Sequence, residues 1–293
     1  MTTNPQVVRT RADLSAALDP RPEGGRAVVM TMGALHAGHL SLVRQARASA
    51  AQVVVTIFVN PLQFGADEDL ESYPRDLPRD LALLADAGAD IVFAPEVSEV
   101  YPHGEPTVRV SAGDLGGRLE GRTRPGHLDG ALTVVLKLLH LVRPDVALFG
   151  QKDAQQAIAV RRMVADLDVD VEVVVGATVR EADGVALSSR NAYLSSGQRA
   201  AATALRRALL AGAGAAAAGR GALEVRDVAL AVLAAEPEVV MDYLAVVDPD
   251  TARDVPDQHA GPAVLVLAAW LGATRLLDNE VLSLRGPAPE EDR

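Results

Sequence analysis

Cysteine is missing from all 293 residues, which removes disulfides, thiolate-bound zinc and a thiol nucleophile. Such a chain fits a reducing compartment, and the cytoplasm is the expected location. Aromatic residues are scarce at 3%, so the core has to be built from Val, Leu, Ile and Ala, a composition suited to a buried parallel sheet. Long hydrophobic runs are missing too. The longest, such as Val53–Val59 and Ala263–Leu271, fall far short of the roughly 20 residues of a membrane span. Met1 to Gly25 is polar, carries Pro5, Pro20 and Pro22, and lacks the apolar stretch of a secretory signal. Positive charge is in deficit, with 28 Lys and Arg against 39 Asp and Glu, for a formal net charge of −11. No nucleic acid and no membrane is therefore expected as a partner. A nucleotide would need a local cluster of donors and cations to overcome that field.

What is present is an ordinary globular balance, 49% apolar and 23% charged, in a chain long enough for about two domains. From Ala27 to about Thr178, short β-rich runs alternate with helical stretches. Strands are expected at Ala27–Met32, Val53–Val59, Asp90–Ala94, Val146–Phe149 and Val171–Val175. Helices are expected at Leu40–Ala50, Asp76–Ala87 (closed by Gly88), Ala131–Val142 and Ala154–Leu167. This alternation predicts an α/β fold with a doubly wound parallel sheet, whose ligands sit at the carboxyl ends of the strands. After Arg180 the texture changes. Ser196 is placed to cap a long Ala-rich helix from about Gln198 to Ala217, and a second helix spans about Glu224–Ala235. Strand-like runs follow at Val239–Val247 and Ala263–Trp270, with a shorter one at Thr274–Leu277. A small α+β second domain is expected, with the boundary placed between residues 178 and 179.

Four strings carry chemistry. The first, Thr31-Met32-Gly33-Ala34-Leu35-His36-Ala37-Gly38-His39, lies where a strand meets a helix, and a helix start offers unpaired N–H groups to phosphate. An arbitrary pair of histidines three apart is more often structural. Two of only six histidines at a glycine-flanked strand end favour phosphate donation, and the spacing does not suit a zinc protease. The second, Leu148-Phe149-Gly150-Gln151-Lys152-Asp153, again joins strand to helix. A cationic phosphate site and a plain Asp-capped helix with a solvent-facing lysine explain it equally well. The third, Leu187-Ser188-Ser189-Arg190-Asn191, puts two hydroxyls and a guanidinium in succession, a fork for phosphate oxygens that is weak in isolation. The fourth, Asn60-Pro61-Leu62-Gln63-Phe64-Gly65, offers two amides to a hydroxy acid, although turn chemistry alone accounts for Asn60-Pro61. Read from residues, the chain is a phosphate-binding α/β enzyme.

A fuller pattern resembles a known family. The HxGH string and the later Ser-Ser-Arg-Asn string look like the nucleotidyltransferase superfamily. Thr31–Leu40, Phe58–Gly65, Tyr73-Pro74-Arg75, Arg124–Gly130, Thr133–Val142, Phe149–Gln156, Thr178–Asn191 and Thr274–Asn279 together resemble the pantothenate synthetases, in order and over nearly the whole chain. The resemblance implies a Rossmann-like first domain, a smaller C-terminal α+β lid domain, and a homodimer. It implies ATP as co-substrate with Mg²⁺, pantoate and β-alanine as substrates, and a pantoyl adenylate as intermediate. By matching position, Met32, Gly33, Ala34, Leu35, His36, Ala37, Gly38 and His39 lie along ATP. Gly150, Gln151, Lys152, Asp153, Val179, Leu187, Ser188, Ser189 and Arg190 also bind it. His39, His36, Lys152, Ser188 and Arg190 are the implied catalytic set, and Asn60, Gln63 and Gln156 the implied substrate set.

Three positions depart from the family. Gln151 replaces a common glutamate, Leu187 replaces the usual methionine, and Arg79 precedes Asp80 where two acids are frequent. The last departure leaves the metal ligands unassigned. The alternative reading is a related nucleotidyltransferase that stops at the adenylated product of another acceptor. A nucleotide sensor that forms no AMP is a further rival.

Overall fold

Strands with β-branched residues on both faces belong inside a sheet that is covered on both sides. A computed structural model describes residues 4–65 and 70–285. Its first unit runs β1 (Gln6–Val8), α1 (Arg11–Ala17), β2 (Arg26–Thr31), α2 (Ala37–Ser49), β3 (Gln52–Ile57), α3 (Leu77–Ala87), β4 (Ile91–Phe93), α4 (Val97–Val100), α5 (Leu119–Thr123), α6 (His127–Val142), β5 (Val146–Gly150), α7 (Ala154–Asp166) and β6 (Glu172–Gly176). Val28, Val29, Val53, Val54 and Val55 in the two central strands are completely buried. The order is β1-β4-β3-β2-β5-β6, every pair parallel. Strand order reverses at β2, which has β3 on one side and β5 on the other. This is the switch point where α/β sheets open a crevice for ligands. Leu40, Val43 and Ala46 of α2 and Leu84 of α3 pack one face of the sheet.

Local signals set most of these boundaries. Asp76 caps α3 through the Arg79 N–H, and Gly88 ends it. The expected helix at Ala131 begins four residues earlier, at His127, because Gly126 supplies a left-handed entry. The short strand β1 had no counterpart in the sequence pattern. Its three residues gain strand character only by pairing with β4.

The second unit contains α8 (Ser196–Ala201), α9 (Thr203–Ala217), α10 (Ala222–Ala234), β7 (Val239–Val247), β8 (Ala260–Leu271) and β9 (Thr274–Arg285). Its strands form an antiparallel sheet in the order β7-β8-β9. Leu205, Ala208 and Leu209 of α9 and Val225 and Ala229 of α10 share a core with Leu265, Leu267 and Leu282 of the sheet. By contacts the chain divides into Met1–Gln151 with Gln155–Ala177, and Lys152–Ala154 with Thr178–Arg293.

Three expectations need correction here. The cap is Ser195, not Ser196, in a reciprocal capping box with Gln198. The long Ala-rich helix is two helices, broken where the Thr203 hydroxyl bonds back to the Ala200 carbonyl at 2.7 Å. The short strand at Thr274 runs to Arg285. Its polar centre looked like a strand end. Asp278 is instead buried against Arg180, in two bonds of 2.6 and 3.0 Å.

Candidate active site

In the first unit, β2 ends at the switch point and the chain turns through Met32–His36 into α2. His36 is the helix N-cap. Its Nδ1 accepts the Gly38 N–H at 3.2 Å, and the His39 Nδ1 accepts the His36 N–H at 3.4 Å. The rings stack with centroids 4.0 Å apart. Gly38 is required for this arrangement, since a Cβ there would meet the His36 ring at 2.9 Å. An Nδ1 that accepts an amide proton carries none itself, so each neutral ring holds its proton on Nε2 as a donor. The sequence pointed to helix N–H groups as phosphate donors. Two of these, on His36 and Gly38, are spent on the rings, and each ring holds an Nε2–H in their place.

The turn before α2 is pinned from α3. Asp80 is almost completely buried, and its carboxylate accepts the Ala34 N–H at 3.0 Å and the Leu35 N–H at 2.9 Å. Burial pushes its pKa up, opposed by those two N–H groups and by Arg79. Ala34 is held at φ +51, a conformation that costs a non-glycine residue about 1 kcal/mol. The Ala34 and Leu35 amides are taken by Asp80, and the Leu35 side chain is buried in the core. Pattern reading assigned Asp80 no such role, because its partners lie 46 and 45 residues away.

The turn Pro61–Gln63 follows β3 and sits on α6. Gly130 permits that contact, since a Cβ there would fall 2.0 Å from the Leu62 carbonyl oxygen. Asn60, expected at the substrate, is buried with every hydrogen-bonding position filled. Its NH₂ donates to Gln63 Oε1 and to the Gly130 carbonyl, both at 3.1 Å, and its Oδ1 accepts the Leu62 N–H and the Tyr101 hydroxyl. Of its four partners, Gln63 is the one that the resemblance places at pantoate. The Gln63 NH₂ group stands 3.2 Å from Met32 Sδ, so the Gln63 turn meets the start of the turn into α2. His127 and Arg124, which the sequence placed only within a matching string, hold the Gln63 backbone. The His127 Nδ1 lies 2.8 Å from its carbonyl and the Arg124 Nη1 3.1 Å from the His127 Nε2. A cleft of about 420 Å³ lies beside this turn, lined by Gln63, Phe64, Tyr101, Arg109 and His127.

Gly150 closes β5 beside β2, and a 3-10 turn over Gln151–Asp153 leads into α7. Asp153 ends that turn, directly before the first residue of α7, and it pairs with Lys152 at 3.4 Å. The two neighbouring glutamines divide sharply. Gln155 is buried and fully used, accepting the Glu120 N–H at 2.8 Å and donating to the Leu115 and Arg118 carbonyls at 2.9 Å. Gln156 is half-buried and has no such bonds, so its amide is available to a ligand.

In the second unit a hairpin carries the remaining candidates. Leu187 donates to the Val179 carbonyl at 3.0 Å, and Arg180 pairs with Ala186. The Arg180–Asp278 pair fastens this hairpin to β9. Ser188 caps the turn Ser189–Tyr193 by accepting the Arg190 N–H at 3.3 Å, which leaves its hydroxyl proton to give. Asn279 of β9 donates to the Lys152 carbonyl at 3.0 Å, so Lys152 belongs to this unit.

Within each unit taken alone, the donor set is one suited to phosphate oxygens, stacked imidazoles in the first and a lysine with a Ser-Ser-Arg turn in the second. It is not a metal cage. Among the described residues no three His, Asp or Glu side chains cluster to hold a metal, and the Asp80 oxygens are engaged by backbone amides.

The sequence profile of the pantoate–β-alanine ligase family matches residues 6–281. The chain belongs to that family. The pantothenate synthetase of Salinispora arenicola is 55% identical over 280 residues, covering 95% of this chain and 98% of the relative. That of Streptomyces coelicolor is 51% identical over 332 residues, covering 97% of each. A crystal structure of the Thermus thermophilus enzyme superposes with a TM-score of 0.88 at 50% identity, over 94% of this chain and 98% of that one. The Francisella tularensis pantoate–β-alanine ligase, solved with a β,γ ATP compound and β-alanine, gives 0.77 at 29% identity, over 94% and 97%. The fold is accordingly that of this ligase family, and the protein is an enzyme of the pantoate–β-alanine ligase type.

Proposed function

We propose that this ligase joins pantoate to β-alanine by way of a pantoyl adenylate, consuming ATP and releasing AMP and pyrophosphate. The observation that carries the reading is the His36–His39 pair at the switch point, locked so that both rings hold a donor on Nε2. The nucleotide bound to the Francisella relative supports ATP as the co-substrate. In the first half-reaction a pantoate carboxylate oxygen attacks the α-phosphorus and pyrophosphate leaves. In the second, the β-alanine amine attacks the acyl carbon and AMP leaves. Neither step needs a covalent enzyme nucleophile. Both need alignment, and donors facing the charge that grows on phosphate oxygens. His36 and His39 supply such donors, and the resemblance carries Lys152, Ser188 and Arg190 to the same nucleotide. Gln63 and Gln156 hold pantoate, while Asn60 acts behind Gln63.

Magnesium is expected as the companion of ATP and would keep to the nucleotide's own phosphate oxygens, as Mg²⁺ commonly does. No step is assigned to it. The proposal includes a homodimer and a cytoplasmic location. The second is supported by the absence of cysteine and by the lack, among the described residues, of a helix long and apolar enough to cross a membrane.

The deciding experiment measures AMP formation with each substrate omitted in turn. Pantoate alone should support exchange of labelled pyrophosphate into ATP, and AMP should accumulate over many turnovers only when β-alanine is added. Release of ADP and phosphate would overturn the adenylate route.

A further inference from the structure

Gln63 is not free to choose which end of its amide it presents. The choice is made one step back, at Asn60, which is surrounded by groups of fixed hydrogen-bonding sense. The Gly130 carbonyl can only accept, so it must face the Asn60 NH₂, at 3.1 Å. The Leu62 N–H can only donate, so it must face Oδ1, at 3.3 Å. These two backbone groups orient the Asn60 amide. Its second N–H then lies 3.1 Å from Gln63 Oε1, which leaves the Gln63 NH₂ on the side of Met32. A flipped Gln63 would set two NH₂ groups against each other with no acceptor between them.

Tyr101 completes the arrangement from α4's C-terminal end. Its buried hydroxyl donates to Asn60 Oδ1 at 2.8 Å. Burial raises the phenol's pKa, so it remains a proton donor throughout the working range. The sulfur of Met32 that the Gln63 NH₂ meets is a weak acceptor, and an incoming oxygen outcompetes it.

We infer that Tyr101 and Asn60 are positioning residues that hold Gln63 as a hydrogen-bond donor. The group recognised at Gln63 must then be an acceptor oxygen of the acid, a carboxylate or hydroxyl oxygen, and not an ammonium group. This inference rests on the ligase reading above, and it adds the polarity of one contact in the acid site.

Steady-state kinetics of two variants test it, with the Michaelis constants for pantoate and ATP measured separately. Asn60→Asp turns both ends of the Asn60 amide into acceptors and so draws the Gln63 NH₂ inward. The pantoate KM should rise by about 100-fold, the scale of a buried polar mismatch, while the ATP KM stays within about twofold. Tyr101→Phe removes one hydroxyl and leaves the backbone restraints in place. Its pantoate KM should rise by about three- to tenfold, again without a change for ATP. Tyr101→Phe carries the test if Asn60→Asp does not fold. In the wild-type protein, the Gln63 side-chain NH₂ resonances should shift when pantoate is added.

Equal changes in kcat and in both Michaelis constants would reduce the relay to a structural role and overturn the inference. Unchanged pantoate kinetics in Tyr101→Phe would do the same. A wild-type enzyme that forms no AMP from pantoate would strike the ligase reading instead, so the two failures are distinguishable.

Discussion

One substitution made at two glycines separates close packing from helix propensity. Gly130 lies inside α6 and Gly214 inside α9. Replacing a helix-interior glycine with alanine gains about 1 kcal/mol when nothing obstructs the new methyl group. At Gly214 nothing lies within 4 Å of the added Cβ, so the gain should be realised. At Gly130 the Cβ would fall 2.0 Å from the Leu62 oxygen and 2.4 Å from its carbon, against 3.4 Å for the nearest ordinary contact, an overlap of 1.4 Å. Those atoms are backbone and cannot rotate away, so the cost lies at the upper end of the ~1–3 kcal/mol for overpacking. After the propensity gain, Gly130→Ala should lose about 2 kcal/mol. Each kcal/mol moves the melting temperature by roughly 2–4 °C in domains of this size. Calorimetry should show Gly214→Ala melting higher and Gly130→Ala melting lower. Because the clash pushes on the Pro61–Gln63 turn, Gly130→Ala should also raise the pantoate KM more than the ATP KM. If both variants gain stability equally, the contact between turn and helix does not exist as described.

Other expectations follow from the same geometry. His39→Ala and Lys152→Ala should each slow adenylate formation by roughly 10²–10³-fold, the usual loss for one oxyanion donor, and pre-steady-state rates within about threefold of wild type would exclude that role. Gln155→Ala should lower the melting temperature with little effect on pantoate KM, and Gln156→Ala should do the reverse; a swapped result would misplace the substrate contact. Acid should destabilise the first unit through Asp145, held below its ordinary value of 3.8 chiefly by the Arg26 N–H and then by Arg21. It should destabilise the second through Asp183, held below 3.8 chiefly by Arg199. A depressed carboxylate stabilises the fold above its unfolded pKa, and that contribution is lost as pH falls through the lower folded value. Asp145→Asn and Asp183→Asn should therefore flatten the fall in melting temperature below pH 3.8, and unchanged slopes would rule the pairs out.

Much of this protein was legible along the chain because the physics is local. Runs of valine in β2 and β3 could only be buried strands. The caps at Asp76 and Gly88 act within one helix. His36, Gly38 and His39 complete their capping box within four residues, so this strand-to-helix junction could be located before any fold was known. Tertiary structure decided where the partner lies far away. Asp80 reaches back 46 residues to seize the Ala34 amide, and Tyr101 reaches 41 to Asn60. Arg180 and Asp278 are 98 residues apart, and their pairing turned an apparent strand end into the middle of β9. Periodicity and turn chemistry report what a residue does to its neighbours in sequence. Whether an asparagine has a hydrogen bond left for substrate depends on which distant groups fill its four positions, and only the folded chain brings those groups together.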